Sequence, residues 1–244
     1  MDFTIEKYQE LLNALKQHKN NRIRHDVDAR PLYSLRVAQL EATMGMKATY
    51  YFRSMHFISY AETIKAIANL GHEIGYHYES LTTCNGDVAA AYNDFCHNLE
   101  TLRQIGHVTS ACAHGSPKSP WNSQDIWNQY DYHSLGIEHE SMIDTDFSTT
   151  LYLTDTGRRW DGYRVAVRDK VPQHQDEWNK AGLSFHSTDD IIHAINDLSH
   201  PIHQKSLLIN THPQRWMPFG PQWIKEAVMQ NAKNIIKGII VSVR

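Results

Sequence analysis

The chain has 244 residues, 41% hydrophobic and 21% charged, an ordinary balance for a globular domain with a sizeable core. Lys+Arg 24 against Asp+Glu 27 gives a net charge of −3, which argues against a polyanion or nucleic-acid partner. Three cysteines without CxxC spacing exclude a disulfide scaffold and a cysteine zinc site, and no apolar run approaches a membrane span. The N-terminus, MDFTIEKYQELL, lacks the basic and apolar regions of a secretory signal, so the expected compartment is the cytoplasm.

In chain order, Ile5, Tyr8, Leu11, Leu12 and Leu15 share one helical face, and 22–28 has strand character. Leu32, Leu35, Ala38 and Ala42 form a helical stripe stopping at Gly45, and 48–53 is β-rich. Ile58, Ala61, Ile64 and Ile67 are helical up to Gly71, and 73–79 is strand-like. Val88, Tyr92, Phe95, Leu99 and Leu102 form a long helical face, followed by a short strand at 109–114. The loop 114–123 is polar and Pro-containing, and 155–182 reads as irregular. Later strands are expected at 134–139, 149–154, 206–211 and 238–243, and helices at 188–198 and 221–236. Strand and helix thus alternate, as in a parallel sheet with helical crossovers, closed as a barrel or open and doubly wound. No GxGxxG follows the first strand, so dinucleotide binding has no support.

Sixteen histidines are an unusual number for this length, and position decides which of them matter. In α/β folds of this kind the active site lies at the C-terminal ends of the strands. Those ends carry Asp26 and Asp28, His77 and Glu79, His114, Asp155, and His212. Asp26 and Asp28, at i and i+2 on a strand, point to one side. Two such carboxylates need a cation or hydrogen-bond donors to stay ionised together, so one is a candidate metal ligand and the other a candidate base. The plainer reading is an Asp pair capping a turn. His77 and Glu79 repeat the spacing, while His25 alternates with Asp26 and reads as packing or support. His72, after Gly71, reads as a helix-end or surface residue. His114 is either a turn residue or a third ligand at a loop mouth, and His212 either a surface histidine or a general acid.

Arg24-His25-Asp26-Val27-Asp28, Met46–Arg53, and Gly71-His72-Glu73-Ile74-Gly75-Tyr76-His77-Tyr78-Glu79 resemble the NodB-type polysaccharide deacetylases, carbohydrate esterase family 4, in a branch carrying RHDVD and GHEIGYHYE signatures. The resemblance runs from the N-terminal helix to His212. It implies a single-domain α/β chain over 1–244, folded as a deformed (β/α)7 TIM-like barrel. It also implies a divalent metal, zinc foremost, held by Asp-His-His. The first Asp of the leading motif, the base, maps onto Asp26, and the second, a ligand, onto Asp28. His77 matches the first His of the next motif, His-x-x-x-His, but position 81 holds Leu81. His114 or Glu79 could supply the third ligand. His114 is favoured, because imidazole suits zinc and Ala113-His114-Gly115 stands where the family's third motif opens the groove. The late histidine that protonates the leaving group maps onto His212. Asp155, Arg159 and Trp160 resemble the motif that orients catalytic groups and walls the pocket, and Trp121, Trp160 and Trp216 are candidates for stacking on sugar rings.

The expected activity is metal-dependent hydrolysis of an N- or O-acetyl group on a saccharide or glycan precursor. The alternatives are a catalytically degenerate glycan-binding relative, which Leu81 keeps open, and a metal-dependent hydrolase of another small amide or ester.

Overall fold

The computed structural model describes residues 1–116, 118–164 and 166–235, and the backbone of 236–243. Pro117, in the loop noted above, lies outside the described residues. The elements run α1 (Ile5–Leu15), β1 (Asn21–Val27), α2 (Pro31–Thr43), β2 (Thr49–Phe52), α3 (Ala61–Asn69), β3 (Glu73–Tyr78), α4 (Ser80–Thr83), α5 (Val88–Arg103), β4 (Ser110–Ala113), β5 (His139–Glu140), β6 (Thr150–Thr154), α6 (Pro172–Lys180), α7 (Thr188–Asn196), β7 (Ser206–Thr211) and α8 (Pro221–Val243). The seven strands form one sheet in the order β5-β4-β3-β2-β1-β7-β6. This is the cyclic order of a (β/α)7 barrel with β5 and β6 as its edges, so the expected fold class is observed. The pairings β2–β3, β3–β4, β4–β5 and β6–β7 are parallel. Among the described residues, no helix is long and apolar enough to cross a membrane.

The residues group into two compact units, 25–145 and 1–24 with 146–244. In the first, β3 is the organising strand. Its register sets Gly75 beside Tyr51 and Ser110. A Cβ at Gly75 would stand 2.4 Å from the Tyr51 ring, so only glycine leaves room for that aromatic. α5 starts at Asp87, whose side chain accepts from Ala90 N, and buries Ala91, Phe95, Leu99 and Leu102. Leu81, Ala91 and Ile126 make an apolar cluster against which Trp121 and Trp127 pack.

α2 buries a face that shares only Ala38 with the expected stripe. Leu32 is 61% exposed, whereas Ser34, Val37, Ala38 and Glu41 face inward. The reason is polar: Glu41 accepts from His25 Nε2 at 2.8 Å and from Tyr50 Oη at 2.6 Å. His72 is also buried, not at the surface. It donates from Nε2 to Ala38 O at 2.9 Å and accepts at Nδ1 from Ala48 N at 3.2 Å.

In the second unit, α1 is capped by Thr4 and buries Tyr8, Leu11, Leu12 and Leu15 at helical spacing. α7 opens on a capping box of Ser187 and Asp190. Of two expected strands, that at 134–139 is reduced to β5 at its end and that at 238–243 is helical. Residues 134–139 begin as a 3-10 turn, His133–Leu135, and Gly136 follows at φ 70°. Asp131 holds that turn through His133 N and Ser134 Oγ, leaving β5 only His139–Glu140. Residues 238–243 continue α8. Their β-branched composition is a weaker influence than propagation from a helix already begun at Pro221. The stretch read as irregular contains α6, a polar helix with Pro172 in its first turn and only Trp178 buried.

Candidate metal centre

In the unit 25–145, three strand ends converge. His77 pairs with Cys112 across β3 and β4, and the backbone ladder continues as His114 N donates to Tyr78 O at 2.7 Å. Paired residues of a parallel sheet share a face, as do residues two apart on one strand. His77, Cys112, His114 and Glu79 therefore fall on the same side. Asp28 lies just past β1, where its N–H donates to Asp26 O at 3.0 Å and its carbonyl faces His56 Nε2 at 3.2 Å.

Asp28 Oδ1 stands 3.5 Å from His77 Nε2 and 3.4 Å from His114 Nε2, and the three donor atoms lie within 4.8 Å of one another. A tetrahedral cation with bonds of about 2.0–2.1 Å separates its donors by roughly 3.3–3.4 Å. The two Asp28–imidazole separations match that spacing, so the donor set fits zinc or a similar divalent ion. Each imidazole is also held from behind. His77 Nδ1 donates to Cys112 O at 2.9 Å, and His114 Nδ1 faces Glu79 Oε2 at 3.0 Å and Ser116 Oγ at 2.9 Å. Both rings thus turn Nε2 toward Asp28, the arrangement in which a metal-binding imidazole gives its other N–H to a protein acceptor. His77 is 2% exposed, while the Asp28 and His114 side chains are 27% and 16% exposed, so the centre opens on one side.

Asp26 is buried, and its Oδ2 lies 3.9 Å from His77 Nε2. Burial acts to lower the His77 pKa, but the charge of Asp26 and the bonds to Asp28 and Cys112 outweigh it, and the ring is held well above the ordinary imidazole value. The field here favours positive charge. Asp26, His77 and Cys112 form a second, fully buried grouping of potential donors.

Glu79, the alternative third ligand, is turned away from Asp28. Its Oε1 accepts from Arg53 Nε at 3.1 Å and from a terminal nitrogen of the same guanidinium, and its Oε2 accepts from Ser116 Oγ at 3.2 Å. Burial acts to raise its pKa, yet the bonds to His114 and Arg53 bring it down to about 2. Leu81, in α4, is 3% exposed in its apolar cluster, so the position expected to carry histidine is a core position instead.

The second unit holds a constellation of its own. Asp155, fully buried after β6, accepts from His212 Nδ1 at 2.6 Å, from His212 N at 3.0 Å and from Trp216 Nε1 at 2.8 Å. Arg215 donates to its carboxylate at 2.5 Å and to its carbonyl at 2.8 Å. Burial acts to raise the Asp155 pKa, but the charges of Arg215 and His212 prevail, and it falls to about 2. Asp155 thus holds the His212 imidazole and backbone in one arrangement. Arg159 pairs instead with Asp161, which also meets His186 Nδ1 at 3.1 Å. Trp160 is 5% exposed, donates to Thr188 Oγ1 at 2.9 Å and packs against Phe3 and Trp216. Trp216 is 1% exposed. Both rings are buried among aromatic neighbours, Trp216 against Phe3, Tyr8 and Trp160. Trp121 remains half-buried, against Gly86.

Sequence reading singled out neither Arg53 nor Arg215. Arg53 ends the β-rich run 48–53, and the strand-end criterion would have found it had it been applied to cations as well as to acids and imidazoles. Arg215 follows His212 by one helical turn and carries no strand-end signal.

No family model and no curated protein matches the chain. Solved structures do. A CE4 esterase from Streptococcus mutans is 13% identical over 97% of this chain and 88% of its own, with a TM-score of 0.47. A family 4 carbohydrate esterase from Streptomyces lividans, solved with acetate, is 13% identical over 90% of this chain and 88% of its own, with a TM-score of 0.45. A CE4 family pseudoenzyme from Bacillus anthracis is 10% identical over 91% of this chain and 62% of its own, also at 0.45. Esterases and a pseudoenzyme thus stand side by side among the similar structures.

Proposed function

We propose that the protein is a metal-dependent hydrolase that removes an N- or O-linked acetyl group from a saccharide or glycan precursor. The observation that carries this reading is the spacing of Asp28 Oδ1, His77 Nε2 and His114 Nε2, with both imidazoles backed by acceptors. The saccharide class comes from the RHDVD and GHEIGYHYE signatures.

Asp28, His77 and His114 would hold the ion. A bound divalent cation supplies Lewis acidity toward an acyl oxygen and makes a water more acidic. Asp26 Oδ2, buried beside His77 and outside the ligand set of Asp28, accepts the proton of the attacking water. As the acyl carbon gains that oxygen, the bond to the sugar nitrogen or oxygen breaks, and the leaving atom takes up a proton. We assign that donation to His212 from the family resemblance, its Nδ1 being held by Asp155 at 2.6 Å.

The test is metal content and acetate release measured together on acetylated sugars, nucleotide sugars and small acetamides. Stoichiometric zinc with acetate released from sugars alone supports the reading. Zinc with turnover of the small amides only points to another amide or ester hydrolase, and glycan binding without metal or acetate points to a degenerate relative.

A further inference from the structure

We infer that Glu79 is a positioning residue of this centre: clamped by Arg53, its carboxylate fixes His114 in the tautomer that presents Nε2 toward Asp28. This inference rests on the metal reading above and adds to it the device that makes His114 usable as a ligand. His77 sits within β3 and is held by a backbone carbonyl of the adjacent strand. His114 lies one residue beyond β4; its backbone N–H still reaches Tyr78 O at 2.7 Å, but its ring Nδ1 meets the side chains of Glu79 and Ser116 rather than a strand carbonyl. A ligand on a loop needs an external anchor if its ring is to keep one orientation.

Glu79 supplies that anchor. An ionised carboxylate only accepts hydrogen bonds, so the proton of the 3.0 Å contact belongs to His114 Nδ1, and the lone pair is left on Nε2. Ser116 Oγ closes the triangle. It lies 2.9 Å from His114 Nδ1 and donates to Glu79 Oε2 at 3.2 Å. The other carboxylate oxygen is occupied by the Arg53 guanidinium from the end of β2. With both oxygens engaged, Glu79 belongs to neither of the potential donor groupings among the described residues. The ends of β2, β3 and β4 are thereby linked as Arg53–Glu79–His114. This linkage makes up for the leucine at position 81, whose burial removes that site from the chemistry.

The test combines 15N NMR of the histidine rings in the metal-free protein with zinc titration against a chromophoric chelator, on wild type and on Glu79→Ala, Glu79→Gln and Glu79→Asp. We expect His114 as the Nδ1–H tautomer in wild type, a mixed or Nε2–H population in Glu79→Ala, and zinc affinity about 10–100-fold weaker in that variant. Glu79→Asp should recover part of both, and Glu79→Gln, which can accept but carries no charge, should fall between. An unchanged His114 tautomer together with unchanged zinc affinity in Glu79→Ala overturns the inference. A wild type that binds no zinc while Glu79→Ala still shifts the His114 tautomer overturns the metal reading and leaves the Glu79–His114 coupling standing. The tautomer readout separates orientation from general loss of structure, because His77 in the same spectra serves as an internal control.

Discussion

Asp28 Oδ1 and His114 Nε2 come from strands β1 and β4, which are not neighbours in the sheet, yet they stand 3.4 Å apart. His77, from β3, completes the triangle at 3.5 Å from the same oxygen. These separations are those that the donors of a tetrahedral divalent cation require.

Replacing Asp28 by Ala removes the one carboxylate shared by both imidazoles. Zinc affinity should fall by more than roughly 100-fold, beyond the effect of losing a supporting group. Chelator competition measures this. Retention of wild-type affinity would show that the ion, if bound, sits in the Asp26–His77–Cys112 grouping instead.

Asp26→Asn keeps the size of the side chain and removes the carboxylate that we propose as the base. Acetate release should drop by about 10²–10⁴-fold while zinc stoichiometry stays at the wild-type level. Loss of zinc in this variant would make Asp26 a ligand, and unchanged turnover would remove it from the reaction.

His212→Ala and Asp155→Asn should each slow acetate release by about 10²–10⁴-fold without changing zinc affinity. Asp155 has a second consequence. Its pKa is depressed from the ordinary 3.8 to about 2, so the ionised form stabilises the fold above the unfolded value. That stability, on the order of 2 kcal/mol, is present at pH 5 and lost as pH falls from about 4 through 2. Urea denaturation at pH 5 and pH 2.5 should show a smaller acid loss in Asp155→Asn than in wild type. An equal loss in both would assign the acid sensitivity elsewhere.

Leu81→His restores the residue that the family motif implies and should not improve the site. Leu81 packs in the cluster with Ala91 and Ile126, and an imidazole there exchanges apolar contacts for an unsatisfied polar group. The expected cost is about 2–4 kcal/mol in chemical denaturation, with no gain in zinc affinity. A stable variant that binds zinc more tightly would show that position 81 can reach the ion.

Much of the α/β order was legible from periodicity, because strands and helices bury residues at different intervals and those intervals survive in the chain. The α1 face, the run from Arg22 to Asp28 and the strand carrying His77 all read directly. The failures share a cause. At 238–243, and on the leucine stripe of α2, local composition pointed one way and the surroundings another. Glu41 faces inward because His25 and Tyr50 are there to bond it, and no helical wheel contains those partners.

The same division holds at the candidate site. By itself the sequence determined which residue types stand at the strand ends, since i and i+2 positions on one strand share a face whatever packs beside them. It therefore brought forward Asp26, Asp28, His77, Glu79 and His114. Only the tertiary structure decided which of them stand together. Parallel register sets His77 beside Cys112 and carries His114 to Asp28, while Arg53 draws the Glu79 carboxylate away. Ligand choice is a matter of distances of a few ångströms between different strands, and those distances are set by how the strands pair, which no single stretch of chain encodes.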